Sequence, residues 1–478
     1  MGRRVSAPRL PVQLLAVAAV LLTLAGPSAA AGASEGPPAG PGLRSVLFVG
    51  NNWDGTADII DPVRFTKLDS INVVPDKEER LAEIRSSPDK LGYYLAIQQL
   101  IGEGNDQYVD DMFTSHDGRH VYVSRPSFAD VVGIDLETHK IIWRVPMDGY
   151  RSDHMAISPD GTRLLVSDST ARKVHVIDPR KGEKVGEFES GDSPHENNYS
   201  RDGSKVFHAS IGMVYTPADQ PVLDSTKGDR WFQVVDAKTN EVLKRLDIGQ
   251  IMADNGYDDY SAAVRPMAIS PDEKTFYLQL SFLHGFVVFD LESETPLRVV
   301  DLPVEGDGEG PRETYLLDSA HHGLAINEAG TKLCAAGTMS NYAALVSTTD
   351  FSFKQFRDID KPYWSTNSGD GQYCFVSASG ADEVVVLDYE AAKEVARIPV
   401  GDHPQRMRMG VIRAGLVDDD TSGGGDTDDT DDGAGVGDDD DSRGGGDGGP
   451  SLPATGSGLT LVAALALAAG AITAARLR

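Results

Sequence analysis

Residues 154–161 read His-Met-Ala-Ile-Ser-Pro-Asp-Gly, an apolar strand that runs directly into a tight turn. The turn is favoured because proline presets φ and glycine accepts a positive φ. A second apolar strand follows at 163–167, a third at 173–178, and a charged fourth at 184–189. This motif of four short strands is the repeating unit of the chain.

The motif recurs along the chain, and four of the six steps between its copies are 41–43 residues long. The residues equivalent to the start of its first strand are Asp110, Asp153, His195, Arg265, His322, Tyr363 and Gln405. The steps between them are 43, 42, 70, 57, 41 and 42 residues. The short steps equal the length of one four-stranded propeller blade, so the period predicts a β-propeller.

The two ends of the chain complete each other. Only one strand, at 407–412, follows the last equivalent position, and the N-terminal part supplies three more at 45–50, 57–61 and 67–73. Their pairing closes the ring and removes the open sheet edges. The sequence therefore predicts an all-β fold, a seven-bladed β-propeller over residues 45–413 that is closed by N-terminal strands.

Three features of the repeat resemble a known group of proteins. The Ser-Pro-Asp-Gly turns, the Val-Ile-Asp and Val-Val-Asp third strands and the Gly-Asp-x-Pro lead-ins resemble those of the YVTN-type (YncE-like) seven-bladed propellers. The resemblance covers residues 45–413 and implies the fold. It does not imply a function, because this fold hosts binding scaffolds, lactonases, lyases and redox proteins alike.

Residues 1–33 have the order of features typical of a secretory signal peptide. Basic residues precede an apolar run from Leu14 to Ala25, and small residues follow at 28–33. The run is too short to span a bilayer comfortably, and the small residues suit cleavage. We therefore expect the protein to be secreted, with a mature chain that starts near residue 32.

The C-terminal residues 452–478 resemble the LPxTG cell-wall sorting signal of Gram-positive surface proteins. The pentapeptide is carried by Leu452, Pro453, Thr455 and Gly456, and an apolar segment at 459–475 and terminal arginines follow it. The resemblance implies that a sortase cuts after Thr455 and joins its carbonyl to peptidoglycan. The apolar segment is then a transient membrane segment, and the protein resides in the cell wall at the cell surface.

Residues 414–451 join the propeller to this signal. They are mostly Asp, Gly, Ser and Thr, so they cannot bury enough apolar surface to offset chain entropy, and a disordered spacer is predicted. The Asp runs lack the fixed spacing of an EF-hand loop, so any calcium binding by them is expected to be weak. The formal net charge of −29 disfavours nucleic acid as a partner, and we expect a monomer.

The chain contains only two cysteines, Cys334 and Cys374, one repeat apart on neighbouring blades. In an oxidising exterior they could pair, and packed thiols are the alternative.

All the extra length of the chain falls on one face of the predicted ring. Long segments at 75–107, 250–264 and 304–320 precede first strands, and one at 211–230 separates a second strand from a third. We call this side the elaborated face, and the side with the Pro-Asp-Gly turns the turn face. Long loops predict a binding surface on the elaborated face. The insert at 75–107 reads as helical, either a lid over the channel or a helix packed on the rim.

In the predicted ring, each first strand begins at the mouth of the channel. The candidate ligand-binding residues there are His154, His195, Glu196, Arg265, His322, Trp364 and Arg406. Imidazole and carboxylate suit a divalent transition metal, with His195 and His322 as ligands, and arginine suits an anion. Catalytic residues stay unassigned, because the sequence contains no nucleophile elbow, phosphate loop or closed zinc spacing.

Two functions follow as hypotheses. The first is a non-catalytic surface module that binds or displays a protein, peptide or small ligand. The alternative is a metal-assisted lyase or hydrolase, in which Arg265 and Arg406 hold an anionic substrate and His195 or His322 acts as ligand or base. Electron transfer through a haem is disfavoured because no Cys-x-x-Cys-His motif occurs.

The sorting signal gives the first prediction. Thr455→Ala removes the residue whose carbonyl would be linked to the wall, so the variant should appear in the membrane fraction or the medium. The measurement is cell fractionation followed by release with a muramidase. Thr460→Ala, outside the pentapeptide, should stay wall-linked. Covalent attachment of the Thr455 variant at the wild-type level would contradict the sorting assignment.

Overall fold

The computed structural model describes residues 40–215 and 219–417. The predicted signal peptide, nearly all of the spacer and the sorting signal lie outside these residues. The described residues form seven four-stranded antiparallel sheets, which confirms the seven-bladed propeller. Within the same ranges, no helix has the length and apolarity needed to cross a membrane.

The first fourteen strands are β1 (Leu43–Asn51), β2 (Thr56–Asp61), β3 (Thr66–Asn72), β4 (Met112–Thr114), β5 (His120–Arg125), β6 (Asp130–Asp135), β7 (Ile141–Pro146), β8 (Ser152–Ile157), β9 (Leu164–Asp168), β10 (Lys173–Asp178), β11 (Glu183–Glu189), β12 (Pro194–Tyr199), β13 (Lys205–Ser210) and β14 (Phe232–Asp236). The other strands are β15 (Val242–Leu246), β16 (Val264–Ile269), β17 (Thr275–Leu280), β18 (Gly285–Asp290), β19 (Thr295–Asp301), β20 (Leu324–Ile326), β21 (Lys332–Gly337), β22 (Tyr342–Ser347), β23 (Phe353–Arg357), β24 (Pro362–Asn367), β25 (Tyr373–Ala378), β26 (Glu383–Asp388), β27 (Lys393–Pro399) and β28 (Pro404–Arg413).

Six blades are continuous in sequence, and one is composite. The continuous blades are β4–β7, β8–β11, β12–β15, β16–β19, β20–β23 and β24–β27, and the composite blade has the order β28-β1-β2-β3. The inner strand of each blade is almost wholly buried, whereas the outer strand exposes most of its residues, as in β11 and β27. The inner strands therefore line the central channel.

The ring closes through the pairing of β28 with β1. The ladder runs antiparallel from Leu43 opposite Arg413 to Asn51 opposite Pro404. Three N-terminal strands thus complete the blade that the last strand begins, as the sequence predicts. The pairing places β1 between β28 and β2, so both edges of β1 are paired.

The same small network holds the turn after the first strand in five of the blades. The hydroxyl of Ser158 donates to Asp160 at 2.6 Å, and Gly161 takes a φ of +68°. A side chain at Gly161 would also collide, because an added Cβ would lie 2.9 Å from the His116 ring. At the equivalent position of another blade, Glu273 adopts a φ of +58°. The turn geometry is thus retained where glycine is absent.

A disulfide joins Cys334 of β21 to Cys374 of β25, with a Cα–Cα distance of 6.5 Å. Both side chains are fully buried in the apolar cluster between these two blades. This decides between the two alternatives that the sequence leaves open. The bond links neighbouring blades across 40 residues of chain, so it restricts the unfolded chain as well as the folded ring.

The helices are α1 (Lys77–Arg85), α2 (Pro88–Leu100) and α3 (Ile248–Asp254), with short 3₁₀ turns at Pro126–Phe128, Pro221–Thr226, Gly306–Glu309, Arg312–Thr314, Leu316–Asp318 and Thr338–Ser340. The insert that carries α1 and α2 packs on the rim, because Leu81 and Ile84 are buried in the core beside β3. It also reaches across the elaborated face. Tyr93 stacks on Tyr150 at 4.0 Å between ring centroids. In the loop after α2, Glu103 forms an ion pair with Lys361, which directly precedes β24.

The composite blade generates the second prediction. Deletion of residues 34–74 removes β1, β2 and β3, leaves β28 without a partner and exposes apolar faces of both adjacent blades. The deletion should abolish the cooperative unfolding transition. Deletion of 418–478 should preserve it, since it keeps every described residue of the core, up to Val417. Thermal unfolding followed by circular dichroism checks both, and an N-terminal deletion that melts like the parent would contradict strand sharing.

Candidate functional site

The seven predicted ligand-binding residues lie together in the central channel and are all buried. Their exposed fractions are 2% for His154, 4% for His195, 3% for Glu196, 1% for Arg265, 0% for His322, 4% for Trp364 and 0% for Arg406. The sequence places them at the mouth of the channel, and in the structure they lie beneath its surface. Loops of the elaborated face cover them, so substitutions here disturb packed groups.

A local irregularity at the start of the inner strands explains why neighbouring residues both face the channel. The pairing register shifts between Ser152 and Met155, between Pro194 and Asn197, and between Val264 and Met267. A bulge of this kind frees one or two residues from strict alternation. His195 and Glu196 can therefore both reach the axis although they are adjacent in one strand.

Three imidazoles meet in the channel. Ring nitrogens of His154, His195 and His322 lie within 4.8 Å of one another. The ring centroids of His154 and His195 are 3.6 Å apart, and that of His322 lies 6.2 Å and 5.8 Å from them. Both ring nitrogens of His322 and Nδ1 of His195 have no hydrogen-bond partner. Such unpaired buried groups are rare and call for an explanation.

The environment keeps these imidazoles uncharged. Burial lowers the pKa of each of the three histidines well below its ordinary value. The Arg406 guanidinium lowers the pKa of His154 further, and Arg265 does the same for His195. Neutral imidazole is the form that binds a metal ion.

Three carboxylates surround His154. Its Nδ1 lies 2.9 Å from Glu196 Oε2, and its Nε2 lies 3.4 Å from Asp153 and 3.9 Å from Asp110. Burial, reinforced by the charge of Asp153, raises the pKa of Asp110 to about 8, and burial also raises the pKa of Glu196. We call the three histidines and these three carboxylates the channel cluster.

The two predicted arginines differ in how they are held. Arg265 donates from Nε to Ser281 at 2.8 Å and from Nη2 to the Leu317 carbonyl, so the protein itself engages it. Arg406 lies against the ring nitrogens of His154, and its Nε and Nη1 have no hydrogen-bond partner. Its guanidinium carbon stands 3.9 Å from the centre of the Trp364 ring. Arg406 is thus the guanidinium with donors left for an anion.

Sequence reasoning missed several members of the site. Tyr363 stacks on His322 at 4.1 Å, Arg151 pairs with Asp153, and Arg408 forms two hydrogen bonds with Asp111 at 2.9 and 2.8 Å. The sequence contains a signal for two of these residues. Tyr363 occupies an equivalent first-strand position, and Arg408 follows Arg406 by two residues on the same face of β28.

An ion-pair network fixes the loops that cover this part of the channel. Lys227 pairs with Asp318 at 2.7 Å, and Arg312 pairs with Asp224 at 2.7 Å. These bonds tie the 211–230 insert to the 304–320 loop, whose Leu317 carbonyl accepts from Arg265. The elaborated face is therefore a cover over the channel cluster in this structure.

The chain matches no known protein family and no curated protein sequence. Among solved structures, hydrazine synthase from Kuenenia stuttgartiensis is 17% identical with a TM-score of 0.49. The alignment covers 65% of this chain and 96% of that chain. At this level of similarity the comparison carries no information about function.

The buried histidines predict a stability that falls with acid. Burial lowers the pKa of His208, His321 and His403 to about 3 from an ordinary value of 6.5. Between these values the unfolded chain binds more protons than the folded one, so the free energy of unfolding falls as pH falls. Each such histidine contributes up to about 1.4 kcal/mol per pH unit.

The measurement is denaturant unfolding at several pH values between 7 and about 4, within the window set by these pKa values. Asp110 and Glu196, whose pKa values are raised, act in the opposite sense, so the difference from a variant is the informative quantity. His208→Gln should reduce the slope by about one proton. His139→Gln, at an exposed position, is the control. Equal slopes for wild type and the His208 variant would contradict the prediction.

Proposed function

We propose that the protein is an exported, cell-wall-anchored surface module whose channel cluster binds a divalent transition metal ion. The observation that carries the metal assignment is the convergence of three buried, neutral histidines, of which His195 and His322 have unpartnered ring nitrogens. Imidazole ligands suit zinc, copper and nickel, and copper(II) binds such sites most tightly among the first-row divalent ions. The export and anchoring assignments rest on the two terminal sequence signals.

The surroundings of His154 support a metal site. Metal-binding histidines usually give their second ring N–H to a carboxylate, which fixes the ring orientation. Glu196, 2.9 Å from His154 Nδ1, supplies such a partner. The charge of a bound ion would be balanced by Asp110, Asp153 and Glu196, which lie around the same ring.

Arg406 sets a condition on metal binding. Its guanidinium lies against His154, where a cation would be repelled. Its Nε is 3.7 Å from Asp110 and its Nη1 is 3.9 Å from Glu196, so a small shift would bring it onto these carboxylates. The same guanidinium could then hold a small anion beside the ion.

The experiment is metal analysis of the purified mature protein, followed by calorimetric titration with Zn²⁺, Ni²⁺ and Cu²⁺. One ion per chain is expected. His195→Gln combined with His322→Gln should weaken binding at least about 100-fold, because two of three ligands are lost. A saturating ion should also raise the unfolding temperature of the wild type and not that of the double variant.

The control is His321→Gln. His321 is adjacent to His322 and equally buried, but its ring contacts Tyr342 and His284 instead of the channel cluster. The control should keep the wild-type metal affinity. Absence of bound metal in the wild type, or equal loss in the control, would contradict the proposal. The glutamine double variant must retain a cooperative unfolding transition for the comparison to count.

A further inference from the structure

A lysine is buried between two carboxylates under the loops of the elaborated face. Lys227 is 2% exposed, and Asp219 and Asp318 are 0% and 2% exposed. The Nζ of this lysine donates to Asp318 Oδ2 at 2.7 Å and also contacts Asp219 Oδ2. The ring centroids of Phe282 and Tyr215 lie 4.9 and 5.8 Å from Nζ. One amine and two carboxylates thus meet in a site that excludes solvent.

The carboxyl group of Asp219 is held through its other oxygen. Nε of Arg312 donates to Asp219 Oδ1 at 2.8 Å, and Nη2 of the same guanidinium lies 2.6 Å from that oxygen. Among the described residues Asp219 Oδ2 has no hydrogen-bond partner, although it contacts the Lys227 amine. A guanidinium in this position stabilises the negative charge that develops on Oδ1 when a nucleophile attacks the carboxyl carbon. Asp219 therefore has the surroundings of an electrophile.

Asp318 is placed to carry protons. Its carboxylate accepts a hydrogen bond from Lys227 Nζ, the contact that proton transfer requires. The backbone at Leu317 and Asp318 has φ values of +51° and +61°, and the Phe282 N–H donates to the Asp318 carbonyl at 3.0 Å. Such a left-handed backbone is costly for these residue types and persists only where the surrounding structure fixes it. The position of this carboxylate is thus determined by the fold.

We propose that Lys227 and Asp219 condense to form an isopeptide bond. A proton moves from Nζ through the Asp318 carboxylate to Oδ2 of Asp219, which produces a neutral amine beside a carboxylic acid. Nζ then attacks Cγ, and an electron pair moves onto Oδ1, where Arg312 stabilises it. Asp318 carries a second proton from Nζ to Oδ2. The C=O bond at Oδ1 re-forms as the Cγ–Oδ2 bond breaks, and Oδ2 leaves as water. The reaction needs no further reactant.

The folded interior favours this condensation. The reacting groups are held together by one chain, so the entropic cost of bringing them together is already met. The reaction removes one positive and one negative charge from the interior, where charges are costly even when they are paired. The bond closes a ring from residue 219 to residue 227 and stiffens the insert that covers the channel cluster. It forms whether or not a metal is bound.

The test is mass spectrometry of the purified mature protein after denaturation and digestion with trypsin. Trypsin cuts after lysine, so an unmodified chain gives a peptide of residues 206–227. With the isopeptide bond, cleavage after Lys227 fails, and a peptide of residues 206–230 appears that is one water molecule lighter than its sequence requires. Fragmentation should place the link at Asp219. Cleavage after Lys227 in the wild type, or a link to a different aspartate, would overturn the proposal.

Three variants assign the roles, each compared after its circular dichroism spectrum matches that of the wild type. Asp318→Asn removes the proton carrier, so the linked fraction should form at least about 100-fold more slowly after synthesis. Lys227→Arg keeps the charge but has no amine and should show no link. Asp224→Asn is the control, because this carboxylate lies 3.8 Å from Nζ, and it should form the link like the wild type. Equal rates in the Asp318 variant and the wild type would refute its role as proton carrier. The wild-type peptide alone decides whether the bond forms.

Discussion

The pairing of β28 with β1 is the interaction on which the rest of the structure depends. It joins two ends of the chain that are more than 350 residues apart and places β1 between two apolar interfaces. Val46 packs toward the β4–β7 blade, and its neighbour Leu47 packs toward the β24–β27 blade. Loss of this ladder would expose both interfaces. It would also open the channel, since the inner strands face one axis only in a closed ring.

Closure of the ring creates an unusual interior, in which charged groups are buried at the centre of a β fold. Burial of a charge is costly unless the charge is paired and hydrogen-bonded. The Arg408–Asp111 and Arg151–Asp153 pairs meet that requirement. His322, with two unpartnered ring nitrogens, does not. A network that is only partly satisfied destabilises a protein, so the unpaired nitrogens favour a ligand over a purely structural role.

Local sequence patterns were enough to predict the fold, because propeller blades repeat turn chemistry and strand length. The Ser158 to Gly161 turn, the composite blade and the convergence of His154, His195 and His322 were all readable in this way. The burial of the channel cluster could not be predicted from local sequence patterns. It depends on bulges that release residues such as Glu196 from alternation, and on the Lys227–Asp318 pair between two long inserts. Such contacts join distant segments and leave no local signal.

Contacts between distant inserts also decide which end of the channel is covered. Long loops predict a binding surface on the elaborated face, and in the structure these loops contact one another and cover the channel, as the Leu317 carbonyl does above Arg265. The opposite face keeps short turns and a cavity that reaches Trp364. Arg406 and Arg408 both stack on Trp364, with their guanidinium carbons 3.9 and 5.0 Å from the ring centroid. Glu196 contacts His154 and also lines the cavity on the opposite face. A change of charge on one side of this stack must therefore alter the electrostatic potential on the other, because low-dielectric surroundings screen it weakly.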